Sequence, residues 1–132
     1  MRERFSSGSP YESESGFSRA IRIGRRVLVA GTAPLDAEGR TAAVGDPAGQ
    51  ARRCFEIIAK ALSDAGARME DVVRTRLFLC RSEDWKSVAA VHGEFFRGVR
   101  PVATAVVVRG LLEEDWLVEI EAEAEIPDVQ QS

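Results

Sequence analysis

Four glutamates alternate with apolar residues near the C-terminal end of the sequence. The stretch LVEIEAEAEI, residues 117–126, carries Glu119, Glu121, Glu123 and Glu125 at every second position. Because successive side chains of a β-strand point to opposite faces, the four carboxylates share one face of a strand. A carboxylate in a sheltered site can act as a general acid or base, whereas exposed carboxylates form a solvated face. The spacing alone favours a solvated face for Glu121, Glu123 and Glu125.

Length and composition restrict the classes of protein that this sequence can encode. A chain of 132 residues with 45% apolar and 30% charged residues predicts one globular domain. The net charge of −3 argues against a nucleic-acid surface, so nucleic acid is not expected as a partner. No apolar run approaches the ~20 residues of a membrane span, so no membrane association is expected.

The cysteine and histidine content indicates a cytoplasmic protein and argues against a metal site. Cys54 and Cys80 are too few for a disulfide framework and are predicted to be free thiols. His92 is the one histidine, and a zinc site would have to recruit both cysteines to it. The N-terminus lacks the apolar core of a signal peptide, which also favours a cytoplasmic location.

Hydrophobic periodicity predicts an α+β fold in the order β-β-α-β-α-β-β, with two helices packed on one mixed sheet. Residues 1–15 are rich in Ser, Glu, Gly and Pro and are predicted to be a flexible segment, followed by a single domain over residues 16–132. Gly24 marks a hairpin between the first two strands. Asp46 is predicted to cap the first helix, and Ser82 the second.

The third strand and the second helix each have a predicted apolar side. Val73, Thr75, Leu77 and Leu79 alternate along DVVRTRLFLC and are expected to face the helices. Arg74 and Arg76 then lie on the other face with Phe78, as counter-ions for the glutamates. The second helix is expected to direct Trp85, Val88, His92 and Phe95 towards the core, with His92 as a hydrogen-bonded core residue.

The fourth strand, ATAVVV, is apolar on both faces. Two helices cover one face of a sheet, so the second face needs another cover. For a chain of this length the simplest cover is another copy of itself. The pattern therefore predicts an oligomer.

Five segments together resemble the Rid family (reactive intermediate deaminases, also called YjgF-type). They are GFSRAIRIG, VLVAGTAPLD, QARRCFEIIAKALSDAGARMEDVVRTRLFL, VHGEFFRGVRPVAT and LVEIEAEAEI, which extend from about Gly16 to Ile126. The resemblance implies a chorismate-mutase-like fold and a homotrimer with ligand clefts between subunits. It also implies cofactor-independent hydrolysis of 2-imino or enamine acids to 2-keto acids and ammonia.

The resemblance also assigns candidate site residues. The glutamate thought to position the attacking water corresponds to Glu119, the cleft aromatic to Phe17, and the glycine of the second strand to Gly31. Deaminases of the family bind the substrate carboxylate with an arginine two residues after the proline of RPVAT, where this sequence has Ala103. The next position on that face is Ala105, which is also small and apolar. The sequence is thus predicted to be a divergent member without the deaminase arginine.

Loss of the arginine weakens the expectation of standard 2-imino acid deamination. A guanidinium forms a bidentate, permanently charged contact with a carboxylate, and its removal commonly costs about 1.5–3 kcal/mol. Arg109 shares strand parity with Ala103 and is a candidate for a replacement cation. The leading hypothesis is a trimer that acts on imine-, enamine- or related carbonyl metabolites. The alternatives are a non-catalytic small-molecule-binding or regulatory trimer, with a 2-keto or imino acid as a candidate ligand, and, ranked below it, an endoribonuclease.

Overall fold

A six-stranded mixed sheet forms the framework of the protein in a computed structural model, which describes residues 2–128. The strands are β1 (Arg2–Phe5), β2 (Ala20–Ile23), β3 (Arg26–Thr32), β4 (Val72–Leu79), β5 (Val102–Val107) and β6 (Val118–Glu125). Their order across the sheet is β1-β2-β3-β6-β4-β5. β4 and β5 pair in parallel, and the other neighbouring strands pair antiparallel.

Three helices accompany the sheet: α1 (Pro10–Ser15), α2 (Pro47–Asp64) and α3 (Trp85–Phe96). The start of α2 is fixed locally, because the Asp46 side chain accepts a hydrogen bond from the Gly49 amide at 3.1 Å and Pro47 occupies the first turn. Gly66 follows the helix at a φ of 88°, a left-handed conformation that suits glycine. The predicted cap at Asp46 is confirmed.

The core lies between the sheet and the two longer helices. α2 packs against α3, β6 and β3. Its buried side chains include Phe55, Ile58 and Leu62, which meet Leu77 and Ile120 from the sheet. Oγ1 of Thr75 lies 2.9 Å from Nε2 of His92, so this histidine is hydrogen-bonded at the core, as predicted. Burial lowers the pKa of His92.

The N-terminal segment contains two elements that the hydrophobic periodicity did not predict. β1 pairs with β2, and α1 follows it. Ser9 begins α1 and accepts a hydrogen bond from the Tyr11 amide, and Gly16 ends the helix in the left-handed region. The polar composition of the segment therefore reflects turns and caps around two short elements.

Two predicted buried positions are exposed. Val73 is 46% exposed and Val72 is buried instead, because the β4–β6 register shifts between Val72 and Arg74. An irregularity of this kind adds one residue to the strand, so side chains before it point to the opposite face from the one that simple alternation predicts. Trp85 is also exposed, because Ser82 begins a 3₁₀ turn over Ser82–Asp84 and the core side of α3 starts at Val88.

Strand β5 lies at the end of the sheet. All six of its residues are exposed in the single chain, including Val102 at 60% and Val107 at 54%. Within the described residues its strand partner is β4, and neither of its apolar faces is buried.

Cys54 and Cys80 are free thiols, as predicted. No helix in residues 2–128 is long and apolar enough to cross a membrane.

Candidate functional site

A cleft of about 480 Å³, here called the N-terminal cleft, opens beside the glutamate end of β6. Its walls come from the segment around α1, the end of β3 with the loop that follows, α2, and the residues that precede β6. The residues that line it include Tyr11, Phe17, Arg19, Gly31, Thr32, Leu35, Asp36, Glu38, Arg53, Ile57, Leu112, Trp116 and Glu119. The cleft is large enough for a small organic ligand.

Glu119 extends its carboxyl group over Gly31. A Cβ atom at Gly31 would lie 2.5 Å from Oε2 of Glu119, so the glycine provides the space that the carboxyl group occupies. The register of β3 against β6 shifts between Val29 and Thr32, which places Gly31 in an irregular part of the strand. The carboxylate of Glu119 forms no hydrogen bond or ion pair with another residue of the range 2–128.

The surroundings of Glu119 favour its protonated form. Burial raises the pKa of this carboxyl group above its ordinary value, and the charge of Glu121 adds to the rise. The positive charge of Arg19 acts in the opposite direction but does not cancel the effect. A carboxyl group with a raised pKa and no internal partner can exchange a proton with a ligand or with water.

Arg19 is a buried cation in the wall of the cleft. The residue is 7% exposed, and its Nη1 donates to the Gly31 carbonyl oxygen at 2.8 Å and to Thr32 Oγ1 at 2.9 Å. Its guanidinium carbon lies 5.8 Å from the centroid of the Phe17 ring. Arg19 thus supports the irregular part of β3 that faces Glu119.

The N-terminal segment contacts Arg19 through Glu12. Oε2 of Glu12 lies 3.8 Å from Nε of Arg19 and also accepts hydrogen bonds from the amide and hydroxyl groups of Ser7. Burial acts to raise the pKa of Glu12, but hydrogen bonds from Ser7 and Ser6 and the charge of Arg19 outweigh it, so the pKa is lowered. Glu12 is therefore ionised and offsets the charge of Arg19.

The other glutamates of β6 have partners. Arg76 contacts Glu121 at 2.9 Å and Glu123 at 3.3 Å, and Arg74 and Arg26 also pair with Glu123. The predicted role of Arg74 and Arg76 as counter-ions is confirmed. Glu125 is exposed and lies 4.0 Å from Arg25.

The candidate residues from the sequence fall into two places. Phe17, Gly31 and Glu119 line the N-terminal cleft together. Ala103 and Ala105 lie on β5 and line a separate groove, here called the edge groove, with Leu79, Ser82, Trp85, Val106 and Val107. Within one chain, the alanine at the position of the absent arginine therefore does not share a cavity with Glu119.

Arg19 is the residue that sequence reasoning missed. It stands just before β2 in an arginine-rich stretch, where an arginine ordinarily faces solvent. Its contacts to Gly31 and Thr32 depend on the β3 irregularity, which the sequence pattern did not show. Arg109, the candidate for a replacement cation, is exposed beyond the end of β5 and lines neither cavity.

The described residues hold no group of three or more His, Cys, Asp and Glu side chains that could bind a metal ion. Cys54 is fully buried, and burial raises the pKa of its thiol, which disfavours the reactive thiolate. The chemistry that the cleft can support therefore centres on the carboxyl group of Glu119.

Comparison with known proteins agrees with the fold. The family model described as Endoribonuclease L-PSP matches residues 8–126. The crystal structure of Rv2704 from Mycobacterium tuberculosis, described as a member of the YjgF/YER057c/UK114 family, aligns with 96% of this chain and 100% of its own. Its sequence identity is 42% and its TM-score 0.87.

Two curated relatives cover most of the chain. SCO2049 from Streptomyces coelicolor is 40% identical over 121 residues, which are 92% of this chain and 90% of the relative. The 3-aminoacrylate deaminase RutC from Acinetobacter baylyi is 37% identical over 107 residues, 81% of this chain and 84% of the relative. The fold and the cleft define a small chorismate-mutase-like α+β protein with a candidate small-molecule site. The chain belongs to the Rid, or YjgF-type, family, whose family model carries the description Endoribonuclease L-PSP.

Proposed function

We propose that this protein is a homotrimer that hydrolyses small imine- or enamine-type metabolites without a cofactor, in a cleft that contains Glu119. The observation that carries the proposal is the half-buried Glu119 carboxyl group, which faces the cleft over Gly31 without a hydrogen bond to a described residue. The deaminase activity named for the RutC relative supports hydrolysis at a C–N bond.

The reaction needs one group that accepts and returns a proton. The Glu119 carboxylate takes a proton from water while the water oxygen bonds to the imine carbon, the C=N π electrons move to nitrogen, and Glu119 passes that proton to the nitrogen to give a carbinolamine. Glu119 then takes the hydroxyl proton of the carbinolamine and delivers it to the amino nitrogen as the C=O bond forms and the C–N bond breaks, which releases ammonia. The sum is imine plus water to carbonyl compound plus ammonia, with no change of oxidation state.

Assembly is proposed from the exposed strand β5, and its threefold symmetry is what the resemblance to the Rid family implies. Its apolar faces are uncovered in one chain, and burial against other copies would stabilise it. Contact between the edge groove of one copy and the N-terminal cleft of another would bring Ala103 and Ala105 near Glu119. Light scattering at micromolar concentration should give three times the monomer mass of 14.4 kDa. A monomer mass would contradict the assembly.

A non-catalytic, small-molecule-binding or regulatory trimer is the second candidate. It is favoured by Ala103, which stands where the deaminases of the family have the arginine that binds the substrate carboxylate. An endoribonuclease ranks below both, because the net charge of −3 is unfavourable for a phosphate backbone. A cytoplasmic location is also part of the proposal, on the basis of the two free thiols.

The decisive experiment measures ammonia release. Purified protein is mixed with imines and enamines generated in situ, including 2-iminopropionate and 3-aminoacrylate, beside a buffer blank. The proposal expects acceleration above buffer with at least one substrate, with a slow rate for 2-iminopropionate. Glu119→Gln should abolish the acceleration, and Glu125→Gln, an exposed position on the same strand, should preserve it. Rates equal to buffer with every substrate would favour the non-catalytic candidate.

A further inference from the structure

The charged groups of the N-terminal cleft differ in what they already bind. Arg19, Arg53, Asp36, Glu38 and Glu119 line the cleft, so two cations stand against three acids. Buried Glu12 behind Arg19 adds a fourth acid. The charge of the cleft is therefore unfavourable for an anion before any ligand enters.

Both arginines are engaged with protein groups. Nη1 of Arg19 donates to Gly31 and Thr32, and Glu12 lies 3.8 Å from its Nε. Nε of Arg53 donates to the Leu35 carbonyl oxygen at 2.5 Å, and its Nη1 contacts Glu56 at 3.4 Å. A ligand carboxylate would have to compete with these contacts at Nη1 of Arg19 and at Nε and Nη1 of Arg53. Nε of Arg19 has no hydrogen bond, but it is buried beside Glu12.

The acids of the cleft are not equivalent either. Oδ1 of Asp36 accepts hydrogen bonds from the amides of Glu38 and Arg40, both at 2.9 Å, so it serves the loop. Glu38 is exposed. Glu119 is half-buried and has no hydrogen-bond or ion-pair partner in residues 2–128. It is thus the group in the cleft with the most to gain from a ligand that donates a hydrogen bond.

We propose that the N-terminal cleft selects an uncharged or cationic imine, or a related N–H donor, that carries no carboxylate, and that Glu119 binds its nitrogen. This substrate class rests on the proposed hydrolase function. Attraction between the carboxylate and a protonated imine would hold the C=N carbon beside the proton-accepting group, as hydrolysis requires. The absence of an arginine at Ala103 then fits the substrate, because such a ligand has no carboxylate to bind.

Three probes of one shape test the charge preference. Benzamidine is a cation with N–H donors, benzamide is neutral with N–H donors, and benzoate is an anion without them. Calorimetry on the intact protein at pH 7 should show benzamidine binding about tenfold or more tightly than benzoate, with benzamide between them. Benzoate binding as tightly as benzamidine, or more tightly, would overturn the inference and indicate a cation supplied by another copy of the chain. No measurable binding of benzamidine would also overturn it.

Variants at Glu119 test whether this residue causes the preference for benzamidine over benzoate. Glu119→Asp keeps the charge and should retain the order of the probes, whereas Glu119→Gln should remove the advantage of benzamidine over benzoate. Glu125→Gln is the matched control and should bind as the parent does. An advantage that persists in Glu119→Gln would place the cation elsewhere and contradict the inference.

The binding result and the hydrolase proposal can fail separately. A preference for benzamidine without turnover of any imine would support the inferred ligand class and contradict the hydrolase proposal. Turnover of 2-iminopropionate together with a preference for benzoate would support the hydrolase proposal and contradict the inferred ligand class.

Discussion

Glu119 and Glu123 lie on the same face of β6, four residues apart, yet their surroundings are opposite. Three arginines contact Glu123, whereas Glu119 has no ion-pair partner among the described residues. The register of β4 explains the difference, because Arg74 is opposite Glu123 and Phe78 is opposite Glu119. A row of like charges can therefore combine structural ion pairs with one carboxyl group left available to a ligand.

Glu119 and Glu123 also differ in their neighbours on β3, on the other side of β6. Gly31 leaves room for the Glu119 carboxyl group, whereas Glu123 is opposite Leu28 of β3. Arg19 lowers the cost of placing Glu119 in a partly buried site without pairing with it directly. Whether a glutamate on this face is paired or unpaired thus depends on its cross-strand neighbours.

The largest effect is expected from a partner introduced opposite Glu119. Phe78→Arg would form a cross-strand ion pair like that of Arg76 with Glu121, make Glu119 a weaker base and block its access to a ligand. We expect imine hydrolysis to fall about a hundredfold, which is within the usual contribution of an acid–base group. Ammonia release measures the effect, with Phe78→Leu as the uncharged control. Equal rates in parent and Phe78→Arg would show that Glu119 takes no part in the reaction.

A smaller loss of activity is expected when Glu119 is displaced without a change of charge. The Cβ atom of Gly31→Ala would come within 2.5 Å of Oε2 of Glu119 and push the flexible end of the side chain away. We expect hydrolysis to fall about tenfold, because misplacement of a reacting group costs rate. The thermal midpoint should change little. A large drop in the midpoint together with unchanged hydrolysis would show that the close approach supports the fold and not the site.

Loss of the ion pairs at Glu121 and Glu123 of β6 should lower the stability of the fold. Arg76→Gln removes contacts to both Glu121 and Glu123, and we expect a loss of about 1 kcal/mol in the free energy of unfolding. Arg26→Gln, at a more exposed arginine with one carboxylate contact, should cost about 0.3 kcal/mol. Urea unfolding at one fixed protein concentration compares them. Equal losses would mean that the network adds nothing beyond single pairs.

The smallest expected effect is the contribution of Glu119 to the pH dependence of stability. Its folded-state pKa is raised above the ordinary value of 4.5, so between these two values the folded chain binds more protons than the unfolded chain. The stability of the parent therefore contains a contribution that decreases as pH rises through this window. Glu119→Gln lacks that contribution, so its stability relative to the parent should increase from pH 4 to pH 7. A relative stability that is constant or decreases over this range would contradict the raised pKa.

Strands β2 to β6 and helix α2 could be predicted because their signals are local. The alternation of β6 has a period of two, and its burial follows that period from Val118 to Ala124. The cap at Asp46 and the glycine at position 66 delimit α2 without reference to the rest of the chain. The counter-ion role of Arg74 and Arg76 followed from strand parity after the bulge.

The features that could not be predicted depend on contacts between distant residues. The bulge near Val73 changes which valine is buried, and no residue type near it marks the change. The irregularity near Gly31 is stabilised by Arg19, which is 12 residues away in sequence. The order of α1 likewise depends on Glu12 reaching Arg19, a contact that composition does not reveal.

The edge strand β5 has a consequence for the nascent chain. The segment Val102–Val107 contains neither a charge nor a proline, which are the residues that ordinarily protect a strand edge from aggregation. Among the described strands it pairs with β4 alone, so its other edge stays open to strand addition from other chains. Rapid encounter with correct partners would compete with that misassembly. The yield of native protein would then depend on the rate of association as well as on the stability of the single chain.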